Sequence, residues 1–194
     1  SFGIKNNNFN ARLGLSHLKT DGENISRIGR EKDGYENKNI TFNAGLEVIE
    51  SLQASLSVRR ANGVNEYDSD IDFDGLVDDQ NNATKFENTI VGLKVNYLSL
   101  DKIWKQQLAI SQSSSHNKDF QDSLPGAATH STKDQIRFVS TKFWNKSSQR
   151  ISFLAEHEEE KFTQRGPIND YGIYGIFDPN QKRSRKTKSI AVEF

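Results

Sequence analysis

The chain has 194 residues, three prolines and 26 acidic side chains balanced by 26 basic ones. That length suits one domain, and zero net charge leaves no bulk attraction for nucleic acid. The lack of cysteine excludes disulfides and thiolate metal sites.

Hydrophobic residues make up 34% of the chain, against about 45–50% in ordinary globular domains. A chain this polar is either disordered or spreads its apolar groups thinly over sheets. Aromatic residues at 10% and a regular apolar alternation point to sheets. The first residues, "SFGIKNNN", open in mid-pattern without an apolar leader, and there is no methionine. The chain therefore reads as a mature or excised piece of a longer protein. It holds no run of about 20 apolar residues of the kind a spanning helix needs.

In chain order, the first alternating segment is "FNARLGLSHL", with Phe9, Ala11, Leu13 and Leu15 on one face. Next come Phe42, Ala44, Leu46 and Val48, then Leu52, Ala54, Leu56 and Val58. Val91, Leu93, Val95 and Tyr97 follow, then Trp104, Leu108 and Ile110, with Gln106 interrupting. In "DQIRFVSTKFW" the pattern is mixed: Ile136 and Phe138 oppose Val139 and Phe143. Ile151, Phe153 and Ala155 precede a last segment with Ile190, Val192 and Phe194. Period two over short segments predicts strands, eight in all, with no helix.

The predicted connections alternate in length. Long ones fall near 19–37, 61–86, 114–133 and 162–187. Short ones fall at Lys5–Asn8, Ile49–Glu50, Ser99–Ile103 and Asn145–Ser148. The prediction is all-β: an antiparallel up-and-down meander with short turns at one end and long loops at the other. Transmembrane β-barrels are built this way, with short periplasmic turns and long extracellular loops. Their apolar face meets lipid and their polar face lines a wet lumen; a sandwich reverses the two. Tyr35, Tyr97, Trp104, Phe143 and Trp144 lie near strand ends, where interfacial girdles form.

"DSDIDFDGLVDD" (Asp68–Asp79), with Glu66, packs seven acids into fourteen residues with no base between them. Oxygen-rich loops suit Ca²⁺. On the EF-hand template Asp70, Asp72 and Asp74 take the first, third and fifth places, Gly75 the turn and Asp78 the ninth. The twelfth place is Asn81 and no helices flank the loop, so an EF-hand is rejected. A shorter calcium loop and a merely solvated acidic loop both remain open. His157-Glu158-Glu159-Glu160-Lys161 lacks the second histidine of a zinc-protease motif, and "GLSHL" lacks the second glycine of a nucleophile elbow. The four histidines (17, 116, 130 and 157) are scattered. "KRSRKTK" (Lys182–Lys188) reads as a basic loop end, either solvated or facing anionic head groups. No constellation points to an enzyme.

"GREKDGYENKNITFNAGLEV" (Gly29–Val48) followed by "LSVRRANGVNEYDSD" (Leu56–Asp70) resembles the barrel of TonB-dependent outer-membrane receptors, the vitamin B12 type above all. "IVGLKVNYLSLDKIWKQQLAISQSSSHNKDF" and "ISFLAEHEEEKFTQRG" fit the next hairpins. The likeness runs over nearly the whole chain and lies in the ordered series rather than in any single motif.

The resemblance implies that residues 1–194 are one segment, about a third of a 22-stranded receptor barrel in the bacterial outer membrane. Its plug domain, TonB box and closing strands lie elsewhere. It also implies capture and import of a scarce solute: cobalamin is suggested, and siderophores, sugars and other metal chelates use the same architecture. Partners would be outer-membrane lipid and that solute, with TonB reached only through the plug. The free edges of such a piece would invite edge-to-edge self-association. In B12-type receptors, acids of neighbouring loops bind calcium. Asp33, Tyr67 and Asp68 match those positions and Asp78 lies near a late acid, whereas Asp70, Asp72 and Asp74 have no counterpart. The other class of function compatible with the sequence is a soluble or surface-attached, adhesin-like sheet module with a calcium-stiffened loop.

Overall fold

The computed structural model describes residues 1–26, 29–144 and 149–194. The main strands are β1 (Phe2–Lys5), β2 (Phe9–Thr20), β3 (Tyr35–Ile49), β4 (Leu52–Ser69), β5 (Asp78–Leu98) and β6 (Trp104–Gln121). They continue with β7 (Leu124–Trp144), β8 (Gln149–Arg165) and β11 (Gln181–Glu193). A two-residue pair, β9 (Asn169–Asp170) and β10 (Ile176–Phe177), decorates the connection before β11. Among the described residues there is no α-helix. The nine main strands form one antiparallel sheet in chain order, β1 to β8 and then β11. The sheet is open, with β1 and β11 as its edges.

The eight alternating segments all become strands, and β1 adds a short ninth. Their register keeps the faces in phase. Leu13 pairs with Phe42, Phe42 with Val58, Val58 with Val91, Leu93 with Ile110, and Ile110 with Ile136. Phe138 pairs with Ala155 and Ala155 with Ile190. A side-chain period of two means that one slip would break this continuity. The result is a belt of apolar side chains across nine strands, roughly 40 Å wide at ~4.8 Å per strand. The mixed pattern in β7 resolves in favour of Ile136 and Phe138, which join the belt.

Nothing covers this belt. Ala61 is the only apolar residue buried among the described residues, and Leu93 and Ile190 remain 43% and 74% exposed. A single sheet has no second layer to pack against, whereas stable domains need one. The opposite face is polar and holds a cleft of about 800 Å³ lined in part by Arg59, Asn88, Ser113, Lys133, Glu160 and Arg183.

The long loops require correction. Near 114–133 there is none: β6 and β7 run on to a two-residue turn, Asp122–Ser123, with φ of 47° and 65°. Such positive φ values suit a tight hairpin. The turn is tied to the start of β5, with Ser123 N–H bonding Asn81 O at 3.0 Å and Asp122 N–H bonding Asn82 Oδ1 at 3.1 Å. Elsewhere the strands also outlast the apolar pattern, leaving loops of 21–34, 70–77 and 166–180. Beyond the belt both faces are polar, so alternation vanishes from the sequence while the backbone ladder continues. Cross-strand ion pairs line these extensions. Arg60–Glu87 (2.9 Å) lies on the belt side and Lys133–Glu158 (2.7 Å) on the polar side, while Arg137–Glu156 (2.7 Å) crosses the polar face at the level of the belt.

"KRSRKTK" is corrected in the same way: it is strand, not loop. It pairs with the acidic run of β8, placing Arg185 2.7 Å from Glu160 and Lys186 3.7 Å from Glu159. Of the short connections, Asn6 caps the first turn by accepting the N–H groups of Asn8 (3.0 Å) and Phe9 (2.7 Å). Asp101 holds the turn before β6, accepting Ser99 Oγ–H and Ile103 N–H, and these bonds keep its carboxyl below the ordinary range. The turn expected at Asn145–Ser148 lies outside the described residues.

Tyr97, Trp104 and Trp144 share the belt face at its short-turn rim, with Lys142 Nζ 5.3 Å from the Trp104 ring. Tyr35 and Phe143 have the opposite parity and leave the girdle. Tyr35 stacks on Phe86 at 6.5 Å instead.

Gly63 in β4 is required by close approach. A Cβ there would sit 2.1 Å from Glu36 O and 2.8 Å from the Phe86 ring. Gly63→Ala should force β3 and β4 apart locally and cost about 1–3 kcal/mol. The denaturant midpoint of the folded protein measures it, and an unchanged midpoint would count against this packing.

Candidate metal centre at the loop end

The acids gather where β3, β4 and β5 emerge beyond the belt. Loop 21–34 is fastened to β4 by two bonds: Gly34 N–H to Glu66 Oε2 (2.8 Å) and Glu66 N–H to Gly34 O (2.9 Å). Across β4 and β5 the ladder jumps from Tyr67↔Asn82 to Ser69↔Asp78. This bulge takes Asp68 and Asp79 out of regular pairing, as bulges do where side chains are re-aimed. Asp68 Oδ1 accepts Gln80 N–H at 2.8 Å.

Beneath the acids lies the best-buried polar cluster of the described residues. Gln80 Oε1 accepts Ser69 Oγ–H (2.8 Å) and the Asn82 amide, and Asn82 in turn holds the Asp122 amide. Gln80 and Asn82 are only 8% and 4% exposed. These buried amides form a floor that ties β4, β5 and the β6–β7 turn together, although Gln80 Nε2 is itself buried without a hydrogen-bond partner.

Five carboxylates interact on this floor: Glu31, Asp33, Glu66, Asp68 and Asp79. Asp33 is pushed up from its ordinary range, first by burial and then by the neighbouring Asp68, Glu66 and Asp79. Glu31 is pushed up in the same direction by burial, then by Asp79, Asp68, Glu66 and Asp33. Asp33 Oδ2 is buried without a hydrogen-bond partner. Gly29, at φ 117°, lies so close to the Asp79 carboxylate that a Cβ there would force that side chain to move.

A second group lies farther out in loop 70–77. Asp70, Asp72 and Asp78 each offer an oxygen, all within 4.8 Å of one another. The loop is wound around its own acids. Asp70 accepts Asp74 N–H (3.2 Å) and Gly75 N–H (2.9 Å), and Asp78 accepts Ile71 N–H (3.0 Å). Positive φ at Phe73 (62°) and Gly75 (86°) permits this tight winding.

The residues singled out by sequence are thus divided. Asp33 and Asp68 meet in the inner group, while Asp70, Asp72 and Asp78 meet in the outer one. Asp74 turns back to accept Leu76 N–H at 2.8 Å, and Tyr67 sits in the ladder opposite Asn82. Glu31 is an additional member, and Glu66 and Asp79, which the sequence marks only as part of the acidic run, join it here. The signal was available: Glu31/Asp33 and Glu66/Asp68 are both acid pairs two apart, which an extended chain turns to one side. Both groups consist of oxygen donors alone, the chemistry of a hard cation such as Ca²⁺. A cation there would relieve the repulsion that raises Asp33 and Glu31. No protein-family model matches this chain, and no curated protein matches it.

Proposed function

We propose that this chain is part of the wall of an outer-membrane receptor barrel of the TonB-dependent type. The observation that carries the reading is the uncovered apolar belt, held in register across nine strands and backed by a wholly different, polar face. Lipid is the natural second layer for such a sheet. The strands rise beyond the belt to an acidic loop end. There a calcium ion, bound by Asp33 and Asp68 with their acidic neighbours, ties loop 21–34 to the β4–β5 hairpin. The ion orders a surface on which a scarce solute, cobalamin or a similar chelate, docks. The polar face, with its cleft, lines the solute's side of the wall. In this role the chain performs no covalent chemistry, and import depends on a plug and TonB supplied by the rest of the receptor.

The two tryptophans, Trp104 and Trp144, make the membrane part testable. Both lie on the belt face at one rim. In vesicles, lipids brominated near the head group should quench them more than lipids brominated at the chain ends. Unquenched tryptophans, together with a monodisperse fold in detergent-free buffer, would instead favour the adhesin-like module.

A further inference from the structure

A second set of ligands lies on the belt face, apart from the acidic loops. His116 of β6 pairs directly with His130 of β7. Both rings point to the same side as Ile110 and Ile136, each six positions farther along its strand. At ~3.3 Å per residue they stand roughly 20 Å along their strands from those two belt residues, and both are exposed. Their centroids are 5.7 Å apart and their planes meet at 73°. Glu87 of β5 is the direct partner of His116. One row of three adjacent strands thus presents carboxylate, imidazole and imidazole to one side.

Two imidazoles on one tetrahedral ion, each bound at about 2.0–2.1 Å, would hold their ring centres roughly 5–5.5 Å apart. The observed centroid separation of 5.7 Å is close to that spacing. The neighbouring cations are already engaged. Lys85 and Lys118 point their ammonium groups at the Phe120 ring, at 4.7 and 5.0 Å. Arg60 pairs with Glu87 at 2.9 Å, with both side chains about half exposed, and such a pair is weak enough to exchange. On the other flank His130 pairs with Thr163, which brings no charge.

We propose that His116 and His130 bind a divalent transition-metal ion of the zinc–copper class, with Glu87 as third ligand and water completing the shell. Nitrogen donors suit these ions and not Ca²⁺, so this site is chemically distinct from the oxygen-only acidic loops. It would clamp the β5–β6–β7 extensions together below the Asp122–Ser123 turn.

The test uses the whole chain in detergent micelles, with excess Ca²⁺ to occupy the acidic loops. One equivalent of Cu²⁺ should give an electron paramagnetic resonance spectrum with couplings to two imidazole nitrogens. Zn²⁺ affinity, measured by calorimetry, should fall at least about tenfold in His116→Ala and in His130→Ala. His17→Ala and His157→Ala should leave it unchanged, and circular dichroism should show all four variants folded. A zinc affinity or a two-nitrogen copper signal that survives in the double variant His116→Ala/His130→Ala would overturn the site. Unchanged zinc affinity in Glu87→Gln would overturn the third ligand.

Discussion

Replacing Leu93 by arginine should cost about 2–4 kcal/mol when the protein is folded in lipid vesicles, the penalty for a charge near the bilayer midplane of a barrel wall. Leu93 stands in the belt between Leu56 and Ile110, the paired residues on the adjoining strands. A guanidinium there has no carboxylate on the same face nearby, and in hydrocarbon it would have no water either. The matching substitution on the other face, Ser111→Arg, should stay within about 0.5 kcal/mol, because that side is polar and wet. The ratio of folded to unfolded protein across a urea series in vesicles measures both. Equal costs for the two arginines would remove lipid from the account of this face, since only a surrounding without water separates them.

The second large effect concerns the inner acidic group. Asp33 and Glu31 keep their protons to higher pH in the folded protein than in the unfolded chain. From the ordinary carboxylate range upward the fold therefore binds more protons than the unfolded chain does. Its stability falls as pH rises through the raised values, and the deficit persists above them. Calcium should reverse this. With Ca²⁺ at a hundred times its dissociation constant, unfolding should become harder by about 2.7 kcal/mol. In Asp33→Asn/Asp68→Asn that gain should shrink to near zero, while the calcium-free protein loses the part of its decline with pH that Asp33 contributes and keeps the part due to Glu31. Amide hydrogen exchange at Gly34 and Glu66, which bond each other across the junction, reads the site locally. That local reading separates the acidic group from Glu36, Glu158 and Glu159, whose carboxyls are held low by neighbouring cations and act in the opposite sense. Equal calcium stabilisation in wild type and double variant would move the ion away from Asp33 and Asp68.

These two regions also differ in how far the sequence disclosed them. The belt could be read residue by residue, since Phe42, Val58 and Val91 each repeat a period-two pattern that only a two-faced strand satisfies. Where the pattern stops, nothing in the sequence marks a strand, and the extensions read as loops. "SSSHNKDF" in β6 carries no apolar alternation, yet it is strand, because cross-strand partners and a tied turn sustain it. The acidic site was half visible for a related reason. Asp70, Asp72 and Asp78 are close in sequence and their clustering is local. Glu31, Asp33 and Asp79 meet Asp68 only through a β-bulge and two hydrogen bonds between Gly34 and Glu66, one of them to the Glu66 carboxylate, and no local pattern records such a meeting.

The register that aligns the belt also governs which changes of chain length the protein can accept. An extra residue within the belt of any strand, say between Leu93 and Val95, would turn every later side chain of that strand to the wrong side until another irregularity restored it. Two extra residues would preserve the sides but shift the strand's apolar stretch against its neighbours. Within 70–77 or 166–180 neither constraint applies. Length variation can therefore accumulate in these loops while the sheet keeps its register, and on the receptor reading proposed above the loop end would be free to diverge without any change to the belt.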